Sequence, residues 1–366
     1  MKKIAFIITG LGMGGAEMQV CSLADKLSKL ENKVVIISLS GNSLMNISDD
    51  IQLFEMEMRK NIFGFIKTLI RVRKILSKFK PDIVHSHMYH ANIFSRLLAI
   101  IYPIPVLITT AHSSNEGGEL RMFTYRITDF LSTISTNVSS EAVDSFIKKK
   151  AVKKNRMITM YNGIDTLLFN YNKSNRISKR LEIGISEQTF LILSVGRLTP
   201  AKDYPNLLYA FSKIKSKQDI QLAIIGEGEL KDDLINLSNQ LNISHKIHWL
   251  GLKHDVNQWM SACDIFILSS AWEGFGLVVA EAMSCERLVI GTNSGGVQEV
   301  INEFGIVVPT KDSEALANAI DKCISLPSQE KEVLQKKSRE HIVNNFSLDE
   351  ICFQWVSFYE KLLESK

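Results

Sequence analysis

The sequence predicts an α/β protein with two parallel sheets covered by helices. Three observations carry this. Apolar, strand-like runs alternate with helix-length segments along the whole chain, the pattern of strands joined by helical crossovers. The 366 residues suit about two domains of 100 to 200 residues each. A composition of 45% hydrophobic and 22% charged residues is that of a folded protein in water, too apolar for a disordered chain.

In the first half the expected strands are residues 3–9, 34–39, 51–54, 83–85, 106–109, 133–138 and 157–160. The second half offers 190–195, 221–225, 247–249, 265–268, 288–291 and 306–308. Between the two sets, residues 162–187 are polar with weak periodicity and read as a hinge. The segment after Leu326 reads as helix, with Leu348, Ile351, Trp355, Phe358 and Leu362 gathered on one side. That apolar side needs a surface to cover, and residues 350–366 are expected to cross back onto the first domain.

Five scattered cysteines without a C-x-x-C pair suggest neither a disulfide framework nor a thiolate zinc site, and fit a reducing cytoplasm. The start, Met1-Lys2-Lys3 and the run to Ile8, is too short for a signal peptide and flows into Gly-rich sequence, so it reads as a first strand. The longest uncharged stretch, 97–115, is broken by Pro103 and Pro105 and falls short of a spanning helix.

A net charge of +4 hides an asymmetry: residues 1–170 carry 22 Lys and Arg against 14 Asp and Glu, the remainder 21 against 25. Basic clusters at Arg71 to Lys74, Lys78 with Lys80, and Lys148 to Arg156 suit an anionic membrane surface or are solvated helix faces. Basic stretches interleaved with stacking aromatics are absent, so nucleic acid is not an expected partner.

Four places carry chemistry. After the first strand, Gly10-Leu11-Gly12-Met13-Gly14-Gly15-Ala16-Glu17 matches G-x-G-x-x-G, whose glycines let backbone N–H groups approach a phosphate or sugar at a helix start. A dinucleotide fold would want an acid after the second strand, where Ile37-Ser38-Leu39-Ser40-Gly41 has none; a purely structural turn stays open. After residue 195, Arg197 and Lys202 follow a buried strand, as a guanidinium and an ammonium suited to a diphosphate, or as surface charges. Glu273 and Glu281 flank Gly274-Phe275-Gly276-Leu277, with Glu273 on a loop and Glu281 two turns into the next helix. Carboxylates there can accept paired hydrogen bonds from vicinal hydroxyls. His85-Ser86-His87-Met88-Tyr89-His90 invites a metal reading, but no nearby carboxylate or cysteine completes a ligand shell.

The combination of Gly14-Gly15-Ala16-Glu17, Asn162-Gly163-Ile164-Asp165, Gly196-Arg197-Leu198 with Lys202, Gly226-Glu227-Gly228, and Glu273-Gly274-Phe275-Gly276 with Glu281 resembles the family 4 retaining nucleotide-sugar glycosyltransferases of GT-B fold. The motifs occur in family order over nearly the whole chain. The resemblance implies two Rossmann-like, doubly wound domains facing a cleft. Residues 1–165 would bind the acceptor and 166–349 the nucleotide sugar. Arg197 and Lys202 would bind the donor diphosphate, Glu281 the ribose, and Glu273 with Gly274, Phe275, Gly276 and Leu277 the transferred sugar. Gly14 and Gly15 would face the donor phosphate, and Gly226 and Glu227 would line the base pocket. His112 would approach the donor sugar, though a hydrogen-bonded loop histidine explains it too. Glu17 and His87 would lie on the acceptor side.

By the same resemblance the donor is a UDP-sugar carrying a hexose or N-acetylhexosamine, and no metal or other cofactor is needed, since the D-x-D motif of metal-dependent relatives is missing. The expected acceptor is a saccharide linked to undecaprenyl diphosphate, in bacterial O-antigen or capsule assembly. The enzyme would be cytoplasmic and peripheral on the inner face of the membrane. A UDP-sugar epimerase on the same scaffold and a non-catalytic partner that binds nucleotide sugars remain as alternatives.

Overall fold

The computed structural model describes every residue except Met13, Asn115 and Lys366. In chain order the elements are β1 (Lys3–Ile8), α1 (Gly15–Lys29), β2 (Lys33–Ser38), β3 (Gln52–Glu55), α2 (Ile62–Phe79), β4 (Ile83–His87), α3 (Tyr89–Ile101), β5 (Val106–Ala111), α4 (Glu119–Thr128), β6 (Ile134–Asn137), α5 (Ser140–Lys148) and β7 (Met157–Thr159). They continue with α6 (Lys173–Glu182), β8 (Phe190–Val195), α7 (Tyr204–Ser212), β9 (Ile220–Ile225), α8 (Lys231–Gln240), β10 (Ile247–Gly251), α9 (Val256–Ala262), β11 (Ile265–Leu268), α10 (Leu277–Ser284), β12 (Leu288–Thr292), α11 (Val297–Ile301), β13 (Ile306–Val308), α12 (Ser313–Ser325), α13 (Ser328–Phe346) and α14 (Leu348–Glu364).

Two units result, Met1–Gly163 with Leu348–Lys366, and Ile164–Ser347. The first holds a parallel sheet of order β3-β2-β1-β4-β5-β6-β7. Its central strands are buried on both faces, which is why they read as unbroken apolar runs. Ile4, Phe6 and Ile8 face α1 and α14, whereas Ala5 and Ile7 face α2 and α3. α1 reaches that core through Val20, Leu23, Ala24 and Leu27, spaced for one helical face. Beside it α14 contributes Ile351, Cys352, Trp355 and Tyr359, all buried. Gln19 of α1 fixes Gly163 at the point where the chain leaves this unit, its Nε2 donating to the Gly163 carbonyl at 2.7 Å and its Oε1 accepting from the Gly163 N–H at 2.8 Å.

The second unit is a parallel sheet of order β10-β9-β8-β11-β12-β13, one face of which packs Phe190, Ile192, Leu222, Ile224, Ile265 and Ile267 against α7, α8 and α12. Here the structure departs from the sequence reading in two places. Residues 162–187 contain α6, whose buried side chains are Lys179 and Arg180 rather than apolar residues. The Arg180 guanidinium donates to the carbonyls of Ser186, Thr189 and Ala262, which offsets the cost of burying it. The C-terminal helical stretch is interrupted at Ser347, which is extended (φ −61°, ψ 148°) and pairs with Ile164 where the two chain crossings run together. None of the helices described is long and apolar enough to cross a membrane.

Candidate functional site

All strands of the second sheet run parallel, so the loops at their C-terminal ends share one edge. Strand order reverses between β8 and β11, and the crevice at such a point is where open α/β sheets bind ligands. The loop after β8 carries Arg197 and Lys202; the loop after β11 carries Glu273.

Backbone packing sets the first loop. Gly196 N–H donates to the Ile225 carbonyl at 3.0 Å, and Leu198 N–H to the Glu227 carbonyl at 3.0 Å, which ties the β8 loop to the β9 loop. Gly226 has φ +146°, and a Cβ there would run into the Gly196 carbonyl oxygen, so only glycine fits. Glu227 is paired with Lys231 at 2.8 Å. Arg197 projects outward and exposed, and its guanidinium makes no hydrogen bond or ion pair to any described residue.

Lys202 Nζ forms an ion pair with Glu273 Oε1, and Ser270 Oγ donates to the same oxygen at 2.7 Å. The two loops are also joined through the main chain, with Ala271 N–H on the Ala201 carbonyl at 2.9 Å and Ser269 Oγ on the Lys202 carbonyl at 2.9 Å. Gly276, at φ +87°, turns the chain into α10, where the N–H groups of Leu277 and Val278 precede the first intrahelical bond, from Val279 N–H to the Gly276 carbonyl at 2.9 Å.

Glu281, on the second turn of α10, is 7% exposed, and its carboxylate has no hydrogen bond or ion pair to a described protein group. Burial pushes its carboxyl up to about 7. A buried acid without a protein partner is costly to ionise unless a ligand supplies donors.

In the first unit, strand order reverses between β1 and β4. The loop after β1 leads through Gly14 into α1, which begins at Gly15. A Cβ on Gly14 would meet Glu17, whose carboxylate folds back over the loop. Met13 of this motif lies outside the described residues. From the ends of β4 and β5 come His87 and His112, with His87 Nδ1 and His112 Nε2 3.0 Å apart. Burial pushes the His112 imidazole down to about 4 and holds those of His85 and His87 well below their usual value. All three are therefore neutral at pH 7 and act as hydrogen-bonding groups. His85 is held at both nitrogens, by Tyr359 Oη and Thr110 Oγ1, each at 2.7 Å. Gln19, His87, His112, Asn162 and Trp355 line a cavity of about 20 Å³, room for about one water. Among the described residues there is no group of three or more His, Cys, Asp or Glu side chains that could hold a metal ion.

Residues 13–167 match the family model described as Glycosyltransferase Family 4, and residues 175–341 match the model described as Glycosyl transferases group 1. The chain belongs to this glycosyltransferase family. The glycosyltransferase is 28% identical to the UDP-Gal:alpha-D-GlcNAc-diphosphoundecaprenol alpha-1,3-galactosyltransferase of Escherichia coli, over 77% of this chain and 76% of that protein. It is 26% identical to the capsular polysaccharide biosynthesis glycosyltransferase CapM of Staphylococcus aureus, over 92% of both chains. Its fold is that of HepE from Anabaena, solved in complex with UDP and glucose: TM-score 0.85 at 18% identity, over 99% of this chain and 100% of that one. The architecture is GT-B, two Rossmann-like α/β domains.

In this glycosyltransferase the sequence-predicted residues fall into two sets. Arg197, Lys202, Gly226, Glu227, Gly274 to Leu277, Glu273 and Glu281 all belong to the second unit, in the loops after β8, β9 and β11 or in α10. Gly14, Gly15, Glu17, His87 and His112 belong to the first. The sequence reading missed the loop after β12. Gly295, at φ +55°, lies so close under the Glu273 carbonyl that a Cβ would collide with it, and Gly296 N–H donates to the Gly274 carbonyl at 3.0 Å. This loop is the floor that holds Glu273 in place. The Gly295-Gly296 pair directly after a buried strand was the signal available for it.

Proposed function

We propose that this glycosyltransferase moves a hexose or N-acetylhexosamine from a UDP-sugar, with retention at the anomeric carbon, to a saccharide linked to undecaprenyl diphosphate, in O-antigen or capsule assembly. The observation that carries the donor reading is Glu281: a buried, partnerless carboxylate in the helix that follows Glu273, beside a crevice that also holds two cations. The vicinal hydroxyls of a ribose are donors of the right number and spacing for it. The lipid-linked acceptor and the capsule context are supported by the names of the Escherichia coli and Staphylococcus aureus relatives, and the uracil base by the first of these.

In this reading Arg197 grips the diphosphate with its free guanidinium. Lys202, with three N–H donors, holds Glu273 and a phosphate oxygen together. As the anomeric C–O bond breaks, negative charge grows on the leaving diphosphate, and these fixed cations stabilise it more in the transition state than in the ground state. They supply the charge that a metal would otherwise bring, so no metal or other cofactor is invoked. Glu273 and the N–H groups opening α10 hold the transferred sugar. The departing phosphate takes the acceptor's proton as the acceptor oxygen attacks from the same face. The first unit is assigned the acceptor, through Glu17 and His87, while neutral His112 offers a hydrogen bond to the donor sugar, and Gly14 and Gly15 approach its phosphate.

A panel of nucleotide sugars scored by thermal shift tests the donor: a ligand at 100 times its Kd stabilises the fold by about 2.7 kcal/mol. UDP release with undecaprenyl-diphosphate-linked acceptors then tests transfer. Stabilisation by no UDP-sugar, or UDP release independent of every acceptor, overturns the proposal.

A further inference from the structure

Helices α2, α3 and α4 form one layer on a single face of the first sheet. α2 is joined to α3 by the Tyr102 hydroxyl on the Leu76 carbonyl at 3.1 Å and by Phe65 against Phe94. α3 is joined to α4 by the buried Arg96 guanidinium on the Tyr125 carbonyl at 3.0 Å, and by Asn92 on Tyr125 Oη at 2.9 Å.

Away from the sheet this layer is apolar. On α2 the buried positions are Thr68, Val72 and Leu76, and the opposite side shows Ile62, Phe63, Ile66 and Ile70, with Phe63 80% exposed. α4 repeats the arrangement: Met122, Tyr125 and Thr128 face inward, whereas Leu120, Phe123 and Ile127, continued by Phe130 at 76%, face outward. Ile100 and Ile101 at the end of α3 are also exposed. Large apolar side chains gathered on one layer of a folded unit mark an interaction surface.

Charge decides the partner. Residues 59–80 carry eight Lys and Arg and no Asp or Glu, and none of the eight forms an ion pair with a described residue. At the far end of α4, a groove is lined by Arg126, Phe130, Lys150, Lys153, Lys154 and the ion pair of Arg156 with Asp129, and neither its lysines nor Arg126 is paired with a carboxylate among the described residues. Two copies meeting through this face would set unpaired cations against unpaired cations, which opposes self-association. Apolar ridges flanked by unpaired cations instead match the boundary between acyl chains and anionic headgroups.

We infer that the outer surface of α2 and α4 docks this protein on an anionic lipid bilayer, with the ridges entering the headgroup boundary and the cations reading the phosphates. The inference deepens the proposed function, because a bilayer is where a lipid-linked acceptor is presented, and it rests on that reading for its purpose alone.

The experiment is flotation of the full chain with phosphatidylcholine vesicles, with and without phosphatidylglycerol, at low and high salt. The wild type binds only the anionic vesicles, and salt weakens binding. Lys67→Gln and Lys74→Gln each lower partitioning about fivefold, the factor corresponding to about 1 kcal/mol per near-surface cation. Phe63→Ser with Ile66→Ser removes flotation, while the melting temperature and transfer to a water-soluble short-chain acceptor stay as in the wild type. Equal binding to neutral vesicles, unchanged flotation of these variants, or a dimer by light scattering that Phe63→Ser dissolves, each overturns the inference. A wild type that floats but transfers to no acceptor refutes the proposed function and leaves the docking face standing.

Discussion

Lys202 and Glu273 are 71 positions apart in the chain and joined by an ion pair at the point where the strand order of the second sheet reverses. The loop after β11 fixes both: Ser270 donates to the Glu273 carboxylate, and Ser269 donates to the Lys202 carbonyl. The pair therefore has a defined geometry before any ligand arrives, which is the property that lets fixed charges lower a barrier.

Lys202→Ala removes one preorganised cation. Its expected effect is a loss of about 100 to 1,000-fold in kcat, about 2.7 to 4 kcal/mol, with an unchanged melting temperature because the side chain is partly exposed. Steady-state UDP release measures it. A folded variant turning over at a near-normal rate removes Lys202 from the reaction.

Glu281 makes two measurable quantities depend on pH. Its carboxyl sits at about 7 in the fold against 4.5 for the ordinary group, so the folded state holds this proton more tightly than the unfolded chain does. Stability from this group is therefore full below about pH 4.5 and declines as pH rises towards 7. In the proposed role, donor binding runs the other way, because ribose hydroxyls would donate to the ionised form: affinity is expected to fall below about pH 7, by at most about tenfold per pH unit. Glu281→Gln flattens both profiles. Denaturation and calorimetric titration across pH 5 to 8 would show it, and an unchanged slope in the variant would refute the role.

Trp355 of α14 is 4% exposed, its ring centroid 4.5 Å from that of His85 and tilted 49° to it, in the core of the first unit. Truncation to Ala should destabilise that unit by about 3 to 5 kcal/mol. Urea unfolding followed by hydrogen exchange in β1 and β4 measures this. Loss of protection confined to the second unit would contradict the packing described.

Transfer is expected to persist after exhaustive chelation if, as proposed, Arg197 and Lys202 carry the charge at the leaving phosphate. A kinetic assay in excess EDTA, with and without added Mg²⁺ or Mn²⁺, decides this. Activity that vanishes on chelation and returns with one ion overturns the assignment.

Strands were the most legible part of the chain. In a parallel sheet covered on both faces each central strand is an uninterrupted apolar run, so residues 4–8 and 190–195 announce themselves without reference to anything else. Loop glycines at 226 and 276 were legible because a positive φ demands them. α6 was illegible because its buried side is Lys179 and Arg180, satisfied by carbonyls and carboxylates both near (Glu182, Ser186, Thr189) and distant (Asp255, Ala262) in sequence. The break at Ser347 went unread because helical residues flank it on both sides, although Ser347-Leu348-Asp349-Glu350 has the S-x-x-E form of a helix start.

The linear order of residues thus determined the fold class, the candidate ligand-binding loops and the chemical character of each candidate residue, since these follow from local periodicity, backbone freedom and side-chain type. Tertiary structure decided which of them meet. Placing β8 beside β11 brings Lys202 to Glu273, burying the second turn of α10 leaves Glu281 without a partner, and layering α2, α3 and α4 turns separate basic and apolar positions into one face. Strand order and helix layering arise from long-range burial, and no window of sequence short enough to read for periodicity contains them.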